Sequence, residues 1–176
     1  ATEPGGSAAL PDALVLGSGG TARAACYAMR QMGVRNLYVY NRTHEKAVAL
    51  AADFGGEAMR ELAPGVAALD RLDAVVSCVP GASGTTLGEA ELRRLAPVVL
   101  DAAYVPRQTP LLADAQAAGC TTLEGVQMLF EQGCEQCAIW THRDAPRIAI
   151  LKALHALLEE REFGEVPSFT EMLKHD

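Results

Sequence analysis

An α/β fold is what this sequence predicts: a doubly wound parallel sheet of six strands flanked by helices. Three observations carry the expectation. Short continuous apolar runs recur along the chain, and runs of that kind fit strands buried on both faces of a parallel sheet. Stretches of helical periodicity stand between them, so strand and helix alternate about six times through short connections. The first apolar run also ends in a glycine-rich loop that opens directly into the first helical stretch.

Each element has its own reason. Residues 1–11 start ATEPGGSAAL, rich in Gly, Pro and small residues, and read as a linker. Ala13–Leu16 is a buried strand closed by Gly17. Gly20 to Met32 is a proline-free helical stretch, with Gly33 as its stop. Asn36 to Tyr40 (NLYVY) is a β-branched and aromatic strand. Thr43 is placed to cap a helix running to about Asp53, before Gly55 and Gly56. Glu57–Met59 is a short edge strand. A helix over Glu61–Leu69 is weakened by Pro64 and Gly65. Further strands are expected at Ala74–Ser77, Val98–Ala102 and Thr121–Leu123. Helices are expected at Gly88–Leu95, Thr109–Ala118 and Val126–Trp140, and a last one at Pro146–Glu160 with proline in its first turn. One domain over residues 12–160 results. Residues 161–176 form a polar tail whose Phe169, Met172 and Leu173 would dock as a short helix or fray.

Composition narrows the function. The chain has 176 residues, of which 49% are apolar and 21% charged, enough apolar matter for one packed core. Its formal net charge of -7 gives no electrostatic reason to seek nucleic acid or an anionic membrane. Aromatic residues are 5%, too few for a base-stacking platform. No apolar run approaches the length of a membrane span. The five cysteines (Cys26, Cys78, Cys120, Cys134, Cys137) are odd in number and scattered through apolar segments, which points to a reducing, cytoplasmic setting. Cys134 and Cys137 form a C-x-x-C with no second pair at zinc spacing. They read as two small apolar residues on one helix face, and no metal is expected.

The chemistry concentrates in Gly17-Ser18-Gly19-Gly20-Thr21-Ala22. Placed after a strand and before a helix, it is a Rossmann-like dinucleotide fingerprint. Gly17 permits the tight turn, Gly19 leaves room for a pyrophosphate, and Ala22 keeps helix and strand close. Phosphate would then bind the amides at the helix start, aided by the helix dipole. The second strand ends in Asn41-Arg42-Thr43, with Lys46 one turn on. A carboxylate for the ribose 2′-hydroxyl of NAD is missing there. Arg42 and Lys46 offer charge, and Thr43 a hydroxyl, for a 2′-phosphate, so NADP is favoured over NAD. A cation beside a helix N-terminus is opposed by the dipole, so Arg42 needs a reason other than the helix.

These residues carry a resemblance. The run ALVLGSGGTARAACYAMRQMGVRNLYVYNRT looks like the nucleotide-binding half of shikimate dehydrogenases. Asp101-Ala-Ala-Tyr104-Val-Pro106 with Thr109-Pro110-Leu111 resembles the family's D-x-x-Y-x-P-x-x-T-P-L segment. Gly125-Val-Gln-Met128-Leu129-Phe-Glu-Gln132 resembles its G-x-x-M-L-x-x-Q segment, and Trp140-Thr141 its W-T-G. The matches keep the family's order over about residues 12–158. The wording is similar to the fungal type, found in the pentafunctional arom polypeptide and in relatives of quinate metabolism.

The resemblance implies roles. Gly17, Ser18, Gly19, Gly20 and Thr21 would hold the pyrophosphate, and Asn41, Arg42, Thr43 and Lys46 the 2′-phosphate. Ser77, Cys78, Val79 and Pro80 would run beside the nicotinamide ribose. Gly125 and Met128 would approach the nicotinamide. Tyr104 would face the substrate cleft and Gln132 would reach a substrate hydroxyl; read from its own surroundings, Gln132 serves equally as a polar residue on an exposed helix turn. In this family a separate N-terminal substrate domain of the same polypeptide carries the catalytic lysine, its aspartate and the serines for the substrate carboxylate. No catalytic residue is therefore expected in this chain, and it would be inactive without that domain. Shikimate or quinate would be the small-molecule substrate.

Two departures keep a second function open. Ser77-Cys78-Val79 stands where many members have N-A-T, and His142 replaces the glycine of W-T-G. A fungal quinate-pathway repressor contains a related regulatory domain, which would sense a metabolite or bind an activator in the nucleus without catalysis. A stand-alone NADP module is a third reading, under which Tyr104 and Gln132 would have no purpose. His44, His155 and His175 have no partner signal and receive no role.

Overall fold

The computed structural model describes residues 12–160; the expected linker and tail, residues 1–11 and 161–176, lie outside the described residues. Six strands form one parallel sheet: β1 (Asp12–Leu16), β2 (Asn36–Tyr40), β3 (Glu57–Met59), β4 (Ala74–Ser77), β5 (Val98–Asp101) and β6 (Thr122–Glu124). Their order is β3-β2-β1-β4-β5-β6. Chain order reverses between β1 and β4, the switch point at which open α/β sheets bind ligands. The helices are α1 (Gly20–Gln31), α2 (His44–Asp53), α3 (Leu62–Ala67), α4 (Glu89–Leu95), α5 (Pro110–Ala117), α6 (Gly125–Thr141) and α7 (Arg147–Glu160). The expected sheet and its helices are all present, with ends shifted by a residue or two. A short 3₁₀ turn at Gly81–Ser83 was not foreseen.

Strand alternation sorts the core into two layers. Ala13, Val15, Leu37, Val39 and Val76 face α1 and α2, where Cys26, Ala47 and Leu50 pack on them. Leu14, Leu16, Val75 and Val99 face the opposite way, toward Val66, Leu92 and Leu112. All four residues of β4 are buried, as a central parallel strand requires.

The ends of α1 show the sequence setting boundaries. Gly33 takes φ +81°, and the amides of Gly33 and Val34 donate to the carbonyls of Arg30 and Met29, a Schellman stop. Arg30, in the last turn, donates to the carbonyls of Val34 and Phe54, which ties α1 to the end of α2. Pro64 does not break α3, because it stands in the first turn, where amides have no helical partner anyway.

The pair α6–α7 stands apart. Phe130, Cys134 and Leu151 form a small core of their own, and the Arg147 guanidinium lies 4.8 Å from the Phe130 ring while pairing with Glu131. Outside that core, Ile139 (65%), Trp140 (75%) and Ile148 (60%) expose large apolar side chains.

Candidate dinucleotide site

The glycine loop sits at the switch point. Gly17 is buried at φ +113°, and its amide donates to the Tyr40 carbonyl at 2.7 Å. A Cβ on Gly17 would meet the Cys78 carbonyl oxygen at 3.1 Å. Both the backbone angle and the close approach of the β4 loop therefore demand glycine.

Gly19 is different. It is the N-cap of α1 at φ −81°, an angle open to any residue, and a Cβ there would meet nothing within 4 Å. Gly20 has the same open surroundings. Neither strain nor packing asks for glycine at Gly19, and any side chain would project into the space before the helix. No side chain caps α1 and no carboxylate stands in its first turn. That leaves the helix-start amides free to donate to an anion. These features fit a pyrophosphate. Ala22, fully buried on the sheet, keeps α1 close.

A cleft of about 480 Å³ opens beside this loop. Its wall includes Thr21, Cys78, Val79, Pro80 and Tyr104, five of the residues singled out from the sequence. Gly81, Ala82, Ala102, Ala103 and Val105 complete it and were not singled out. Pro80-Gly81 was a legible turn signal after a strand. Gly81 lets the loop touch its neighbour: a Cβ there would lie 3.1 Å from the Val105 carbonyl oxygen. A larger cleft of about 610 Å³ lies along the β3 edge of the sheet, between β3 and α3, with Arg60 in its wall. It lacks the switch point and the glycine loop, so the smaller cleft is the functional candidate.

The loop that carries Tyr104 is held from below. The buried Asp101 carboxylate accepts from Thr109 Oγ1 at 2.8 Å and from the Ala103 amide at 3.0 Å. Thr109 in turn accepts from the Leu112 amide and so caps α5. Asp101 and Thr109 thus brace the loop between them, a role that motif spacing did not reveal. Arg107 adds a charged clamp, donating through Nε and a terminal nitrogen to Glu124 at 3.0 and 2.7 Å.

Gly125 begins α6 immediately after that glutamate. A Cβ on it would fall 2.6 Å from the Ala102 carbonyl oxygen and closer still to that of Ala103. The start of α6 therefore rests directly on the backbone of the Tyr104 loop. Gly125 has a packing reason for being glycine, whatever lies near it.

The 2′-phosphate candidates gather at the end of β2. Arg42, Thr43 and Lys46 are exposed and Asn41 is half-buried. Thr43 occupies the N-cap of α2, but its side chain makes no capping hydrogen bond, contrary to the expectation. The backbone explains this: the Thr43 carbonyl already accepts from Asn41 Nδ2 at 2.9 Å and from the Lys46 amide. The Thr43 hydroxyl remains available at the surface.

Other residues are placed less decisively. Ser18 is half-buried in the loop, and Ser77 is buried at the end of β4. Met128 is half-buried on α6, outside the lining of the cleft. Gln132 is exposed, donating to the Leu129 carbonyl and accepting from Gln136. Burial pushes the Cys78 thiol up to about 12, with the nearby Cys26 and Asp101 adding to it. Cys26 rises to about 11 for the same main reason. Both thiols stay protonated at neutral pH, so they pack rather than react. Cys134 is buried between α6 and α7 and Cys137 is half-buried, as small apolar residues would be. No helix among the described residues is long and apolar enough to cross a membrane.

His142 explains one departure. It ends α6 at φ +54°, the left-handed position that glycine fills most easily. The exchange therefore falls on a helix stop.

Comparison with known proteins agrees with this geometry. A family model described as shikimate/quinate 5-dehydrogenase matches residues 4–109, and the shikimate 5′-dehydrogenase C-terminal domain matches residues 125–155. Shikimate dehydrogenase (NADP(+)) of Halorubrum lacusprofundi is 41% identical over 153 residues, 84% of this chain and 55% of that protein. The pentafunctional AROM polypeptide of Komagataella phaffii is 38% identical over 138 residues, 73% of this chain and 9% of the polypeptide. The structure of shikimate 5-dehydrogenase from Thermus thermophilus with NADP(H) and shikimate superposes with a TM-score of 0.69 at 28% identity. It covers 82% of this chain and 54% of that one. The chain spans about half the length of the single-enzyme relative. By its family match, its sheet order and its glycine loop, this chain belongs to the shikimate/quinate dehydrogenase family.

Proposed function

We propose that this chain is the NADP-binding half of a shikimate 5-dehydrogenase-like oxidoreductase, working with a substrate domain of the same polypeptide in the cytoplasm. The observation that carries the reading is Gly19: exposed, unstrained and facing open space at an uncapped helix start. In this reading Gly17 to Thr21 hold the pyrophosphate, and Asn41, Arg42, Thr43 and Lys46 hold the 2′-phosphate. Ser77, Cys78, Val79 and Pro80 line the nicotinamide side, with Gly125 and Met128 beyond. Tyr104 and Gln132 face the substrate. Bound NADPH supplies the hydride that reduces 3-dehydroshikimate to shikimate.

The chain's own work is to bind, orient and exclude water. Cys78 and Val79 give the cleft an apolar wall, and the braces at Asp101 and Arg107 fix the loop that carries Tyr104. Proton transfer at the substrate oxygen needs a group that titrates near neutrality. The cleft lining includes only one ionisable pair, the Cys78 thiol and the Tyr104 phenol, and the thiol stays protonated. In this reading a partner domain supplies the relay, and the exposed Ile139, Trp140 and Ile148 of α6 and α7 offer it apolar contacts. His142 stands at a helix stop and Cys78 packs against the core, so both departures fall at positions that carry structural work.

The test is turnover. The isolated chain is expected to show no NADP-dependent oxidation of shikimate or quinate, and to gain it when joined to a substrate domain of the family. Turnover by the chain alone would contradict this division of labour.

A further inference from the structure

The sheet register places another cation at the β2 edge. In the parallel β2–β3 pair, Tyr40 lies opposite Met59, so the next residues, Asn41 and Arg60, leave the sheet side by side. The contact between His44 Nδ1 and the Met59 carbonyl, 3.3 Å, holds the start of α2 against the end of β3. Arg60 thus stands at the same corner as Arg42 and Lys46.

Its surroundings leave it unused. Among the described residues, Arg35, Arg42, Arg60 and Arg143 carry no side-chain hydrogen bond or ion pair. Arg35 precedes β2 at the opposite end of the sheet, and Arg143 follows α6. Only Arg42 and Arg60 share the carboxyl edge. Glu57 and Glu61 flank Arg60 in sequence, yet neither pairs with it, whereas Arg93 and Arg94 each pair with a glutamate on their own helix. In a chain of net charge -7, Arg60 is exposed and makes no ion pair with Glu57 or Glu61, although both line the same cleft.

We infer that Arg60 is a specificity determinant for the dinucleotide, a third cation with Arg42 and Lys46 that selects a 2′-phosphorylated ribose. The inference rests on the proposed NADP reading. Its guanidinium would approach the dianionic phosphate from the β3 side, while Arg42 approaches from the start of α2. Such a contact strengthens binding of NADP and leaves NAD untouched, because NAD has no charge at that oxygen.

The test is a calorimetric titration of the chain with NADP⁺ and NAD⁺. Arg60→Ala is expected to weaken NADP⁺ by about three- to fivefold and to leave NAD⁺ unchanged, the range of a solvated charge contact. Arg35→Ala removes the same charge at the far end of the sheet and is expected to alter neither. Far-UV circular dichroism checks that both variants fold. Equal loss for the two dinucleotides, or no loss at all, would overturn the role of Arg60. Arg42→Ala separates this from the underlying reading. If Arg42→Ala reduces the NADP⁺ preference and Arg60→Ala does not, only the third cation is wrong. If the unaltered chain shows no preference for NADP⁺, the cofactor reading and the role of Arg60 fail together.

Discussion

Gly125→Ala is expected to destabilise the fold more than any other single methyl added to the candidate site. The added carbon meets two backbone carbonyl oxygens, those of Ala102 and Ala103, and backbone cannot rotate away as a side chain would. Either α6 lifts from the sheet or the loop carrying Tyr104 moves. Overpacking of this kind costs about 1–3 kcal/mol or more. In a domain of this size that lowers the melting temperature by roughly 2–12 °C. Thermal unfolding followed by circular dichroism measures it directly. A melting temperature equal to that of the unaltered chain would show that α6 does not rest on this loop.

Gly19→Asp is expected to do the opposite to stability and worse to function. Aspartate is a preferred N-cap, and its charge complements the positive end of α1. The open space before the helix accepts its Cβ. The melting temperature is therefore expected to rise, by the few degrees that about 0.5–1 kcal/mol provides. Dinucleotide binding is expected to fall at least a hundredfold, since a carboxylate would occupy the amides that the proposed function gives to phosphate and repel it by charge. Gly17→Ala is the contrast. There φ +113° and the Cys78 carbonyl make the change destabilising before any ligand is considered. A Gly19→Asp chain that is stable and still binds NADP⁺ would place the ligand elsewhere.

The difference between these glycines shows what the sequence could and could not disclose. The alternation of buried strands and helices was legible, because parallel strands and amphipathic helices write their burial into local pattern. Gly17 and Gly19 were legible as a fingerprint, and the structure separates them by showing which one the chain itself requires. Gly125 was marked only by likeness. Its packing reason lies in the loop after β5, more than twenty residues earlier, and no local pattern carries a contact of that kind. The brace between Asp101 and Thr109 was hidden for the same reason, since a hydrogen bond across a loop leaves no periodicity. Thr43 looked like a side-chain cap, yet the backbone took over that work with its carbonyl. Arg60 escaped notice because its neighbour Asn41 is set by strand register, which appears only once the sheet is assembled.

The organisation of the chain follows the same logic. The sheet and five helices form two layers that bury each other, while α6 and α7 share a small core and leave Ile139, Trp140 and Ile148 bare. Under the proposed function, those exposed side chains are where a substrate domain would pack.

The central claim is that this chain binds NADP(H) by itself. Isothermal titration of the 176-residue chain with NADPH and with NADH tests it most directly. Saturable binding of NADPH below millimolar concentration, with NADH weaker by about tenfold or more, is the expected result. No NADPH binding at millimolar cofactor, or equal affinity for the two, would contradict it.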